Sequence, residues 1–124
     1  MKDEDPGSAL KTTPLDSLHQ SLEARMVPFA GYSLPLQYGS GIITEHNQTR
    51  EKASLFDVSH MGQIRIHGAD AAKALETIVP GNIDGLAPGG MRYTMLTTDA
   101  GTIIDDIMVT REDSGLFVVV NASR

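Results

Sequence analysis

Apolar and polar residues alternate cleanly through Gln63-Ile64-Arg65-Ile66-His67, which predicts a half-buried strand ended by Gly68. The period then changes. Ala71, Ala74, Leu75 and Ile78 fall on one side of an Ala-rich stretch, which predicts a helix over 69–79. Turn-forming residues fill 80–90, and strands are expected at about 91–97, 103–109 and 115–121. Thr98-Asp99-Ala100-Gly101 joins the first two of these, with Gly101 suited to the left-handed position of a hairpin loop. From residue 61 the order is therefore β-α-β-β-β. That order implies an α+β class, an antiparallel sheet with helices on one face.

Upstream the helical period dominates. Leu15, Leu18 and Leu22 form one stripe, so 14–24 reads as a helix with Thr13 as its cap and Pro14 in the first position. Residues 42–53 read as a second helix capped by Ser40, with His46 and Arg50 on one face. Between them, RMVPFAGYSLPLQYGSG carries Pro28, Pro35 and three glycines, so an irregular ordered segment is expected, with room for a short strand at 25–29. The expected organisation is a frayed tail over 1–12, a partial first lobe over 13–60 and a small α+β lobe over 61–124. Leu116-Phe117-Val118-Val119-Val120 is apolar on both faces and wants cover on both sides. This marks the chain as a piece of something larger or as one that needs a partner.

Charge and composition narrow the partners. The net charge is −6 and the chain has no Lys/Arg run, so a nucleic-acid groove or an anionic membrane surface is not expected. There is no cysteine, which removes disulfide and thiolate chemistry. His19, His46, His60 and His67 lack metal-ligand spacing, so no metal is expected. No apolar run reaches the length of a membrane span, and the acidic first residues resemble neither a secretory signal nor a transit peptide. Cytosol is the expected compartment. Oligomeric state is not legible.

Several stretches could carry chemistry. Asp57-Val58-Ser59-His60 holds the parts of a hydrolase triad. If the strand of 63–67 extends back through 57–61, Ser59 and His60 point to opposite faces and cannot converge. Asp57 and Ser59 are better read as satisfying backbone groups at a bend. His60 would then be a hydrogen-bonded interior residue on the side of Ile64 and Ile66. The pair Asp105-Asp106 lies within an apolar strand, where an unpartnered carboxylate is costly. Either one acid faces a ligand while the other is tied down, or both are structural. Gly39-Ser40-Gly41 is expected to serve the helix that follows rather than to cradle phosphate. Tyr93 shares a strand face with Met91 and Met95, so packing is its default role.

The runs ARMVPFAGYSLPLQY (24–38), EHNQTREKASLFDVSHMGQIRIHG (45–68), TIIDDIMV (102–109) and VVVNASR (118–124) resemble, in order, the N-terminal portion of the aminomethyltransferase family, the T-proteins of the glycine cleavage system. The resemblance implies a multi-lobe folate-binding fold. It implies transfer of a methylene group from an aminomethyl-lipoyl H-protein to tetrahydrofolate, with release of ammonia. It places the important aspartate at Asp105, with Asp106 as the fallback, and implies folate contacts at Met61, Tyr93, Val119 and Asn121. Further folate contacts and a third lobe lie beyond the matched portion of the family, so the chain is expected to be truncated at its C-terminal end and inactive alone. Other expectations stay open beside this one: a folate-binding relative such as the C-terminal part of sarcosine or dimethylglycine dehydrogenase, or a non-catalytic interaction module.

Overall fold

The computed structural model describes residues 9–123, and the chain divides between His60 and Met61 into two compact units. In the first unit, helix α1 spans Asp16–Ser21, strands β1 (Arg25–Phe29) and β2 (Tyr32–Gln37) form an antiparallel pair, and helix α2 spans Ile42–Glu51. Both helices are shorter than their patterns suggest, and neither carries the expected side-chain cap. Thr13 instead turns its hydroxyl to Asp57, and Gly41 takes the N-cap of α2 with a positive φ of 81°. Glu45 in the first turn of α2 accepts the backbone N–H of Tyr38 at 2.7 Å, which ties the helix to the end of β2.

The segment expected to be largely irregular is the β1–β2 hairpin. Its prolines are tolerated because a two-stranded sheet is all edge, where a missing N–H need not break a ladder. Most of the expected tail, residues 1–8, lies outside the described residues. Lys11 does not fit a frayed tail: its N–H reaches the Gly31 carbonyl, and its carbonyl accepts from Ser33.

The second unit is a four-stranded antiparallel sheet in the order β3-β6-β5-β4. These strands are β3 (Gly62–His67), β4 (Met91–Thr97), β5 (Ile103–Glu112) and β6 (Gly115–Val120). Helix α3 (Ala71–Glu76) packs on β6. The α+β, antiparallel expectation therefore holds.

Pairing between the strands alternates two faces. One presents Ile107, Val109, Leu116 and Val118 to Ala71, Ala72 and Leu75 of α3, and Val79 and Ile83 complete this core. Burying each large aliphatic side chain is worth about 1.5–3 kcal/mol. Ile83 is 0% exposed although it sits in the turn-rich connection. Glu76 holds it there, its Oε1 accepting the N–H groups of Ile83 and Asp84 at 2.6 and 2.8 Å. Those two bonds also hold the Glu76 carboxyl below the usual range.

Gly115 opens β6 where a Cβ would collide with the Ile66 carbonyl, so the close approach of β3 and β6 requires glycine there. Gly101 takes its expected left-handed conformation, with φ of 76°.

Candidate functional site

The other face of the four-stranded sheet is open, and register decides what stands on it. Tyr93 pairs with Met108, and Met108 with Val119, which pairs with Gln63. One step along the strands, Asp106 pairs with Met95. Residues directly opposite in an antiparallel pair share a face. Tyr93, Met95, Asp106, Met108 and Val119 are therefore on one surface, and Tyr93 and Met91 are each 61% exposed on it. This corrects the packing role expected for Tyr93 from its strand neighbours. The face is shared with Met91 and Met95 as expected, but it is not the core face.

The two aspartates separate. Asp105 pairs with Leu96 and is 7% exposed, on the core side. Its Oδ2 accepts the Asn121 N–H at 3.3 Å, and its Oδ1 accepts the Asn121 amide at 2.9 Å. The β5–β6 ladder ends at the Met108–Val119 pair, so Asp105 supplies an acceptor to a backbone group that the ladder no longer serves. The same Asn121 amide also donates to Asp106 Oδ1 at 3.0 Å and to the Asp106 carbonyl at 3.2 Å.

Asp106 is exposed. Its charge is the main cause that raises the Tyr93 hydroxyl above the ordinary tyrosine range, with burial adding to it. Of the residues expected at the site, the outward face thus collects Tyr93, Val119, the Asn121 amide and Asp106. It does not collect Asp105, which stands behind Asn121. Met61 precedes β3, one residue beyond the Gly62–Val120 pair.

The stretch at 57–60 forms no triad. Asp57 Oδ1 accepts the Ser59 N–H at 2.9 Å, closing a turn, while its Oδ2 accepts Thr13 Oγ1 and His19 Nε2, each at 2.9 Å. An ionised carboxylate only accepts, so His19 carries its proton on Nε2. Nδ1 of the same ring meets the Tyr38 hydroxyl at 2.7 Å. Burial would raise the Asp57 carboxyl, but the hydrogen bonds from His19, Ser59 and Thr13 outweigh it and hold it far below the usual carboxylate range.

His60 departs from expectation. A turn precedes Gly62, so strand alternation does not extend back to it. Its ring meets the edges of Phe29 and Tyr32 at 5.9 and 6.2 Å, and its Nδ1 is buried without a hydrogen-bond partner. His19, buried at 5% exposure, was invisible as a site residue. Its partner Asp57 lies 38 residues away, and no local spacing signals such a pair.

A model of the GCVT N-terminal domain matches residues 15–124. The chain belongs to that family. Its GCVT relatives include the mitochondrial aminomethyltransferase of Gallus gallus, 52% identical over 91% of this chain and 29% of the relative. The mitochondrial aminomethyltransferase of Dictyostelium discoideum is 48% identical over 91% of this chain and 28% of the relative. The crystal structure of glycine cleavage system aminomethyltransferase T from Bartonella henselae superposes with a TM-score of 0.86 at 36% identity, covering 93% of this chain and 32% of that one. The chain thus spans about 30% of the length of these GCVT proteins. Among the described residues, no helix is long and apolar enough to cross a membrane.

Proposed function

We propose that this chain supplies one wall of a tetrahydrofolate site in a glycine-cleavage aminomethyltransferase, with the outward face of the four-stranded sheet as that wall. The observation that carries the reading is the convergence of Asp106, Tyr93, Val119 and the Asn121 amide on one open face. A flat conjugated ring finds an aromatic and aliphatic platform there, in Tyr93 and Val119. At the edge of the platform it finds a carboxylate and an amide. Met61, next to the start of β3, adds a polarizable side chain suited to a ring face.

In this reading the carboxylate that meets the pterin is Asp106, the fallback of the sequence reading. Asp105 is a positioning residue, because it holds Asn121 and through it the edge of the platform. Asp106 accepts hydrogen bonds from ring N–H groups and stabilises positive charge that develops on a folate nitrogen as it attacks the methylene carbon. The methylene carbon moves from the lipoyl sulfur of an H-protein to the folate, and ammonia leaves. The compartment proposed is the cytosol. The residues that complete the pocket belong to the part of the family's length that this chain does not span.

A thermal melt of the chain with and without tetrahydrofolate tests the proposal. A rise in melting temperature that Asp106→Asn abolishes is the expected result. No rise in the unaltered chain, or an equal rise in the variant, overturns it. Aminomethyl transfer from loaded H-protein is expected to be negligible for this chain alone.

A further inference from the structure

Away from the proposed folate wall, the hairpin that joins β5 to β6 lines a small cavity. Glu112 pairs with Gly115, which leaves Asp113 and Ser114 as a two-residue loop. Arg111, Asp113, Ser114 and Gly115 line a space of about 320 Å³ together with Gly68 and Ala69, which lie between β3 and α3. Arg111 pairs with Leu116, a core residue, so it stands on the side of the sheet opposite Tyr93. The cavity shares no residue with the folate wall.

Arg111 is half-buried. Among the described residues the ion pairs are His19–Asp57 and Arg65–Glu112, so the Arg111 guanidinium has no acidic partner. Drawing a fixed charge partly out of water without a counter-charge is unfavourable. The main chain that carries it is held from both sides. Its N–H donates to the Gly90 carbonyl at 2.9 Å, its carbonyl accepts the Gly89 N–H at 2.8 Å, and β6 pairs with it on the other edge. A planar fork of donors is thereby presented to the cavity from an anchored base. Ser114 adds a hydroxyl that donates or accepts. Asp113 adds a carboxylate, exposed and likewise without an ion pair among the described residues. One cation and one anion therefore line the same small space and do not pair with each other.

We infer that this cavity is a site for a small zwitterion, an α-amino acid, held with its carboxylate on Arg111 and its ammonium on Asp113. The Ser114 hydroxyl donates to the same carboxylate. A simple anion satisfies Arg111 but is repelled by Asp113, and a simple cation meets the reverse. A molecule that carries both charges on one carbon satisfies both groups. A chain terminus carries only one of the two charges, which sets a free amino acid apart from a peptide end. The volume lies at the low end for ligand pockets, which suits a ligand of a few heavy atoms.

Backbone-amide NMR of the full chain, titrated with three matched probes, tests this. The probes are L-alanine, propionate, which lacks the ammonium, and ethylamine, which lacks the carboxylate. L-alanine is expected to move the amides of Gly68, Ala69, Asp113, Ser114 and Gly115 saturably, half-saturating at about the millimolar level. Propionate and ethylamine are each expected to bind about fivefold more weakly or less, the size of one exposed charge contact. Arg111→Gln is expected to abolish the L-alanine response. Asp113→Asn is expected to weaken L-alanine about fivefold while tightening propionate, because it removes an attraction from one and a repulsion from the other. Asp113 is an exposed loop residue, so that variant keeps the fold whatever Arg111→Gln does to it. No saturable movement of these amides by L-alanine up to about 0.1 M overturns the inference. Propionate binding as tightly as L-alanine overturns it too, as does L-alanine binding that Asp113→Asn leaves unchanged. None of these outcomes bears on the folate wall, which stands on the other side of the sheet.

Discussion

Asp57 and Asp106 are both aspartates in apolar neighbourhoods, and the structure uses them in opposite ways. The Asp57 side chain is 3% exposed and takes hydrogen bonds from Thr13, His19 and Ser59. Each donor favours the charged form, and with three donors on a buried side chain the carboxylate is committed to holding the fold. Asp106 is exposed, keeps one side-chain bond from Asn121, and acts outward on Tyr93. The lesson is that burial among several donors marks a structural acid, whereas an acid supported from one side on an open face keeps acceptor capacity toward solvent. Asp105 is the intermediate case, buried like Asp57 but serving the residue that steadies Asp106.

The sharpest way to break this comparison is Asp57→Ala. It strands the His19 Nε2–H and the Thr13 hydroxyl in a buried site and is expected to cost about 2–4 kcal/mol, read from denaturant midpoints. A loss under 1 kcal/mol would mean the network is incidental. The same acid sets a pH dependence. Its folded pKa is depressed, so its contribution is fully present above the ordinary value of 3.8 and is lost as pH falls below it. Denaturant melts taken between about pH 5 and pH 3 should lose stability more steeply in the unaltered chain than in Asp57→Ala.

Asp105→Ala comes next. It leaves the Asn121 N–H without its acceptor and should cost about 1–3 kcal/mol. It should also weaken tetrahydrofolate binding through the displaced amide. Stability lost with binding intact would remove Asp105 from its positioning role.

The smallest effect on the fold is expected from Asp106→Asn, within about 0.5 kcal/mol of the unaltered chain. In that variant the Tyr93 hydroxyl should titrate lower, back toward the ordinary 10.0, because its main raising cause is gone. Ring-carbon NMR of Tyr93 across the alkaline range measures this. An unmoved titration would show that the two side chains do not communicate.

Much of the second unit was legible because its signals are local. Period-2 alternation located β3, apolar runs bounded by turn residues located β4, β5 and β6, and the Ala-rich run located α3. β5 ran three residues past the expected end at 109, through Arg111 and Glu112. Pairing with Leu116 and Gly115 overrides the weak strand preference of charged residues there. The hairpin at 25–37 was only half visible because Pro28, Pro35 and Gly31 break the alternation that a two-sided ladder would preserve. Ile83 was hidden by turn residues around it, and its burial depends on Glu76, seven residues earlier. The face shared by Tyr93, Val119 and Asp106 holds residues that the sequence singled out one by one. It was not legible as a geometry.

By itself the sequence determined the strands, the α3 helix, the α+β class and the family, because these rest on periodicity and on residue identities along one segment. Only the tertiary structure decided which acid stands beside Tyr93. Adjacent strand residues face opposite ways, so the choice between Asp105 and Asp106 is a matter of register, which cross-strand pairing and the core beneath it settle. It also decided that Thr13 and His19 serve Asp57 rather than their own helix, because a buried carboxylate takes donors from wherever the folded chain brings them.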